Sequence, residues 1–171
     1  MRKAGKKTSY LSYGIIILVI IAAIAVALLV GEKKDEPKTD TKTINSACGS
    51  YRDDRAVQVN GQTFNTEVPN NQTEFDKGLG GRPCILPNQA MLFPFKQPGQ
   101  YAFWMKDMKF PIDIIWIGPD HKIVAMEINE QPSTYPDKFV NQKDRPAQYV
   151  LETQANRSKE LNIGLGTVVY F

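Results

Sequence analysis

The sequence predicts a mainly β domain, a sandwich or barrel with two short helices, set behind one N-terminal transmembrane helix. Three observations predict it. The run from Gly14 to Val30 carries no charge, no Pro and no strongly polar side chain. Behind it come about eight short alternating or β-branched segments, punctuated by Gly, Pro and Asn. No strand–helix–strand alternation, internal repeat or phosphate-loop glycine pattern interrupts them.

The 17 residues from Gly14 to Val30 make about 25 Å of helix. Leu11, Ser12 and Tyr13 bring the stretch to the roughly 20 residues that a hydrocarbon core requires. Tyr10 and Tyr13 then fall at headgroup level, where a ring with a polar tip is favoured. Arg2, Lys3, Lys6 and Lys7 precede the run, whereas Glu32 to Glu36 behind it is mixed in sign, so the N-terminus stays cytoplasmic. The expected organisation is a basic cytoplasmic tail over residues 1–12, a helix through the lipid bilayer over 13–30, a flexible linker over 31–47 and an exported domain over 48–171. Cleavage as a signal peptide is the competing reading. Ala23-Ile24-Ala25 and Ala25-Val26-Ala27 are small-x-small patterns, but they lie inside the apolar run rather than after it. A lipoprotein is excluded because Cys48 lies well beyond the run. On either surviving reading the domain leaves the cytoplasm, membrane-bound or secreted.

The linker, GEKKDEPKTDTKTINS over 31–46, has eight charges and one aliphatic side chain, Ile44. It cannot bury enough apolar surface to offset the entropy of ordering it. Its four lysines and four acids cancel, and from Cys48 onward 13 basic residues face 14 acidic ones. A near-neutral domain lacks the concentrated basic surface that nucleic acid requires, so nucleic acid is not an expected partner. Cys48 and Cys84 are the two cysteines of the chain. In an exported protein they invite a disulfide; free thiols in a weakly oxidising envelope are the alternative. A Cys–His nucleophile is disfavoured, because the one histidine, His121, sits in the turn Gly118-Pro119-Asp120-His121. One His and two separated Cys are too few for a zinc site, and nothing else marks a metal or cofactor.

Along the domain, residues 56–59 and 63–68 alternate about Asn60-Gly61, a strong hairpin signal. Thr73 is placed to cap a short helix through about Gly78, which Gly80-Gly81 ends. Residues 91–95 and 101–105 read as aromatic strands, and 112–117 (IDIIWI) as a central strand paired through the 118–121 turn with 122–128. Residues 129–146, Pro-rich and polar, read as a long ordered loop, in which Tyr135-Pro136 and Arg145-Pro146 are loop punctuation or a lid. Residues 149–152 form a strand, Asn156 caps a helix to Leu161, and 167–171 close the domain.

Gly78-Leu79-Gly80-Gly81-Arg82, Ala90-Met91-Leu92-Phe93-Pro94-Phe95, Phe103-Trp104-Met105-Lys106-Asp107-Met108 and Pro111-Ile112-Asp113-Ile114-Ile115-Trp116-Ile117 together resemble the domain of unknown function 192 family. Tyr149-Val150-Leu151-Glu152 and the stretch from Gly164 to Phe171 resemble its C-terminal end, so the likeness spans about residues 55–171. Ala90 and Asn156 stand where that family usually has Gly, a change that narrows the local backbone options. The resemblance implies a jelly-roll-like sandwich, sometimes exported or anchored, and brings no activity, cofactor or substrate.

Asp113 and Glu152 are acids inside apolar strands, where a carboxylate must be paired or neutralised. The candidate ligand-binding set is Arg82, Trp104, Lys106, Asp113 and Glu152: the cations to hold an anionic or hydroxyl-rich ligand, the acids to orient it. Three alternatives remain open: a buried ion-pair network, a hydrolase using Asp113 and Glu152 as acid and base, and a structural ectodomain recruiting a protein. Trp104, Trp116, Phe93, Phe95, Phe103 and Tyr101 read first as core and second as a sugar-stacking surface. The leading expectation is a membrane-anchored module that binds a small ligand or an envelope component.

Overall fold

The Asn60-Gly61 turn takes φ of 45° and 80°, the left-handed pair that a two-residue hairpin needs. Strand β3 (Arg55–Val59) therefore folds back antiparallel on β4 (Gln62–Glu67). The computed structural model describes residues 42–171. The expected tail, the bilayer helix and the first part of the linker lie outside the described residues. Among the described residues no helix is long and apolar enough to cross a membrane.

The remaining elements are β1 (Lys42–Ser46), β2 (Gly49–Asp53), α1 (Gln72–Lys77), β5 (Gln89–Gly99), β6 (Ala102–Phe103), β7 (Ile112–Ile117), β8 (Ile123–Glu130), β9 (Phe139–Val140), β10 (Ala147–Gln154), α2 (Arg157–Glu160) and β11 (Val169–Tyr170). Seven strands form one sheet in the order β11-β3-β4-β5-β10-β7-β8. A jelly-roll sandwich would place antiparallel strands in two facing sheets. Here the seven strands form one mixed sheet, because β4 pairs parallel with β5, and β1-β2 and β6-β9 are separate two-stranded pairs. The reason lies in the connection: residues 68–88, which contain α1, are long enough for the crossover that a parallel pair demands.

The two ends of this sheet meet. Lys122 and Val168 form a bridge, Ile123 N–H donates to Thr167 O at 3.0 Å, Gly166 N–H to Ile123 O at 2.8 Å, and Val169 N–H to His121 O at 2.8 Å. These bonds join the start of β8 to the residues leading into β11 and close the sheet there into a small barrel. Alternate residues then pack two separate cores. Val57, Phe64, Leu92, Ile115, Leu151 and Val169 fill the inside. Met91, Phe93, Ile114, Trp116 and Val150 lie outside, beneath α1 and the connecting loops. The long 131–146 segment is tied down as β9 pairs with β6. Buried Asn141 accepts from Tyr101 N–H at 2.9 Å and donates to Gly99 O and Arg145 O.

Helix α1 starts earlier than expected. Asn71 rather than Thr73 is the cap, its side chain accepting from Glu74 N–H at 2.9 Å. Part of the segment read as flexible linker, Lys42–Ser46, pairs as β1 with β2. Ladder bonds there use the backbone alone, and three attachments fix the hairpin to the barrel. A disulfide joins Cys48 to Cys84. The buried Tyr51 hydroxyl accepts from Ala90 N–H at 2.9 Å and Glu67 N–H at 3.1 Å, at the parallel junction of β4 and β5. Arg52 reaches Asp54 and, on α1, Glu74 at 2.9 Å. Burial pushes the Tyr51 phenol upward, so it stays neutral and available as both donor and acceptor.

The disulfide closes a loop of 36 residues' separation. Replacing both Cys48 and Cys84 with Ser lowers the unfolding free energy by about 3–4 kcal/mol, measured by urea denaturation. An unchanged urea midpoint would show that the hairpin holds without its covalent tie.

Candidate functional site

Strand β10 lies between β5 and β7, with Glu152 opposite Met91 on one side and Ile114 on the other. Its alternation sends Leu151 inward and Val150 and Glu152 outward. The Glu152 side chain therefore enters the outer apolar layer, where it is only 4% exposed. Its Oε2 is one of three buried side-chain polar atoms without a hydrogen-bond partner among the described residues. Burial pushes its pKa up to about 8, and the Leu79 backbone N–H opposes that shift only in part. At neutral pH the group is a protonated carboxylic acid, a hydrogen-bond donor facing apolar surroundings.

Those surroundings form a cavity of about 220 Å³. Phe75 on α1, Phe93 and Phe95 on β5, and Tyr101, Phe103 and Trp104 around β6 supply the aromatic walls. Phe93 contacts Phe75 and Phe103 edge-to-face at 5.4 and 5.0 Å, while Phe95 and Tyr101 stack. Lys77 and Lys106 also line the cavity, and Lys138 lies 5.1 Å from the ring centre of half-exposed Trp104. Two short loops hold the walls together. Gly81 N–H donates to Asp107 O at 2.8 Å, and a Cβ on Gly80 would come within 3.1 Å of Lys106 O. At Gly78 the backbone takes φ 53° and ψ −133°, which glycine alone adopts readily, and a Cβ there would stand 3.4 Å from Glu152 Oε2.

Of the candidate residues, Trp104, Lys106 and Glu152 come together at this cavity. Arg82 does not join them. It ion-pairs with buried Glu67, donates to Ser50 O and lies over the Tyr51 ring, so its charge serves the hairpin junction. Asp113 is also elsewhere. It sits opposite Thr153 rather than Glu152, so the two acids project from opposite faces of the sheet. That separation removes the acid–base pair that a hydrolase built on Asp113 and Glu152 needs. Asp113 is fully buried, and its carboxylate accepts from three backbone N–H groups: Asn129 at 2.9 Å, and Asn156 and Ser158 at 2.8 Å each. Asn129 and Asn156 both have φ of 64°. Asp113 thus ties the bulged end of β8 to the start of α2.

Reading the sequence missed Phe75, Lys77, Leu79 and Met108 as cavity residues. Their signal was weak, because a six-residue helix and a glycine loop give no periodicity that would aim a side chain. The four segments carrying Gly78-Leu79, Phe93 to Phe95, Phe103 to Met108 and Glu152 nevertheless converge on one place.

Fold and cavity together define a small closed mixed-β domain with a ligand-sized aromatic recess on its outer face. The chain belongs to the domain of unknown function 192 family, described as an uncharacterised ACR, whose model matches residues 55–171. Comparison with curated proteins finds no match. Among solved structures, the chain is similar to a protein of unknown function from Novosphingobium aromaticivorans. Their identity is 24% and the TM-score 0.64, over 77% of this chain and 94% of that one. It is also similar to a candidate transcription regulator from Sinorhizobium meliloti, with 24% identity and a TM-score of 0.56, over 75% and 89% of the two chains. Likeness at this identity speaks for the fold alone.

Two stability measurements separate the acids. Asp113→Asn puts an amide against backbone donors and lowers stability by about 3 kcal/mol or more; a loss below about 1 kcal/mol would mean the three bonds are dispensable. Glu152 behaves oppositely. Its folded pKa, about 8, lies above the ordinary 4.5. Its stabilising contribution is whole below that ordinary value and is lost as pH rises toward 8, by on the order of 1.4 kcal/mol per unit. Glu152→Gln removes this slope and is the more stable protein at pH 7, by on the order of 3 kcal/mol. Parallel stability–pH curves for the two proteins would contradict this.

Proposed function

We propose that this protein is a binding module, tethered to a membrane with its domain outside the cytoplasm, that takes a small ring-bearing ligand in the cavity beside Glu152. The observation that carries the reading is the buried Glu152 Oε2, without a hydrogen-bond partner among the described residues, at an aromatic recess. A buried polar atom without a partner costs stability, and folds retain such groups chiefly where they act on something else. The aromatic faces supply apolar and π contact, and the acid supplies one directional hydrogen bond, the usual balance of a small-molecule site. A single donor suits binding better than acid–base turnover, which needs a second group within reach of the same substrate.

The placement rests on different support. The Cys48–Cys84 disulfide is compatible with an oxidising compartment. The basic residues ahead of the Gly14–Val30 run favour export of the chain beyond it. The near-neutral charge of the domain suits a small ligand better than nucleic acid.

The test uses a panel of monocyclic compounds and the melting midpoint of the full chain. A compound bound only by the folded state raises the midpoint with concentration. Ala102 is exposed and lines the cavity, so Ala102→Trp fills the space without disturbing the core. Compounds that shift the native protein should leave this variant unmoved; equal shifts in both would place the binding elsewhere. In cells with a permeabilised outer layer, added protease should digest the domain. Full protection there would overturn the placement.

A further inference from the structure

The recess has three chemically distinct zones. Its aromatic middle is bounded by Phe75, Phe93 and Phe103, its polar point is the Glu152 carboxyl, and Lys77 and Lys106 are its lining cations. Size narrows the occupant first. An engineered apolar cavity of roughly 150 Å³ accepts benzene, so about 220 Å³ suits one six-membered ring with small substituents. A disaccharide or a whole nucleotide is too large.

Polarity narrows it further. A sugar ring brings several hydroxyl groups, and the aromatic middle offers those set among the rings no partner besides the Glu152 carboxyl, each a desolvation cost. A flat hydrocarbon ring meets the aromatic edges and faces at no such cost. Charge decides the rest. Neither Lys77 nor Lys106 forms an ion pair with a carboxylate among the described residues. Asp76, the acid lining the same cavity beside Lys77, accepts from the Gln72 amide at 2.6 Å, and the two amines outnumber it. Lys138 over Trp104 adds positive charge nearby. An organic cation would be drawn to the rings and to an ionised Glu152, but it would have to pass these amines. An anion has two of them to meet.

We infer that the ligand of this cavity is a monocyclic ring acid, held with its ring among Phe75, Phe93 and Phe103, a hydrogen-bond acceptor on Glu152 and its carboxylate or phosphate toward Lys106 and Lys77. The inference rests on the binding-module reading and adds the chemical class. It also sets a pH dependence, because the acceptor needs a proton on Glu152. Beside that carboxyl are Gly78 and Leu79 after α1 and the apolar Met91 and Ile114 on the flanking strands, and the charged groups that line the same cavity are Asp76 and Lys77 on α1 and Lys106 after β6. Glu152→Gln keeps a donor and all of these neighbours, so a difference between it and the native chain belongs to Glu152 itself.

Three matched probes test the class by calorimetry on the full chain: 4-methoxybenzoate, 4-methoxybenzyl alcohol and 4-methoxybenzylamine. At pH 6.5 the anion should bind tightest and the cation weakest. The double variant Lys77→Gln/Lys106→Gln should cut the anion's advantage over the alcohol by about fivefold, the scale of partly exposed ion pairs. Above the Glu152 pKa of about 8, benzoate affinity should fall roughly tenfold per pH unit, and in Glu152→Gln it should stay flat. If the amine binds tightest and gains affinity as pH rises, the ligand class is wrong and the cavity remains a site for cations. If the alcohol equals the benzoate in the native chain, the lysines set no class and the inference fails while the binding reading stands. If no probe binds, or all three bind Ala102→Trp as well as the native chain, the class and the site fall together.

Discussion

The organisation of this domain depends on one strand being buried on both faces. β10 is flanked by β5 and β7, and its neighbouring side chains must serve two different interiors. Leu151 completes the packing inside the barrel, beside Leu92 and Ile115. Val150 and Glu152 face the outer layer under α1 and the glycine loop. A slip of one residue would exchange these faces, placing a carboxyl in the barrel and a leucine in the recess. The register is therefore fixed by the same residues that create the site. Glu152 is where it is because its apolar neighbours leave it no other side.

Much of this was legible, and the reasons differ from element to element. Asn60-Gly61 announced its hairpin because a two-residue turn needs positive φ at both positions, and few residue pairs supply it. IDIIWI announced a central strand because a segment covered on both faces is nearly continuously apolar, with Asp113 its single polar residue. The parallel pairing of β4 with β5 left no such mark, since it follows from the length of a connection and not from any pattern inside the strands. The site was half legible for a similar reason. Burial of Asp113 and Glu152 could be read from their apolar neighbours, but their destinations could not. The paired register puts Thr153, not Glu152, across from Asp113, so two acids with the same local signature part to opposite faces. One is saturated by three backbone donors and the other meets an open recess.

The hairpin of β1 and β2 lies ahead of the family-matched region, yet it is fastened to the parts that shape the recess. Arg52 holds Glu74 on α1, the helix that contributes Phe75 and Lys77 to the cavity. Tyr51 satisfies backbone donors at the β4–β5 junction, just ahead of Phe93 on the same strand. The disulfide ends at Cys84, just past the Gly78–Gly81 loop. A lone two-stranded hairpin is marginal in water, so its own stability comes from these attachments, and in return it acts as a brace. It limits how far α1 and the glycine loop can move away from Glu152.

The opposite environments of Asp113 and Glu152 show how one fold assigns different tasks to the same functional group. Asp113 is saturated by three backbone N–H groups, and those bonds fix the end of β8 against α2. Burial favours the neutral form of Glu152, and the Leu79 backbone N–H opposes that only in part. If stability alone had shaped the position, glutamine or an aliphatic residue on the outer face of β10 would satisfy the same packing without a titrating group. The surrounding glycines argue in the same direction. Gly78 adopts a conformation that suits glycine, and Gly80 leaves room for the Lys106 carbonyl. Both shape the loop that covers Glu152, and neither adds an apolar side chain to the core.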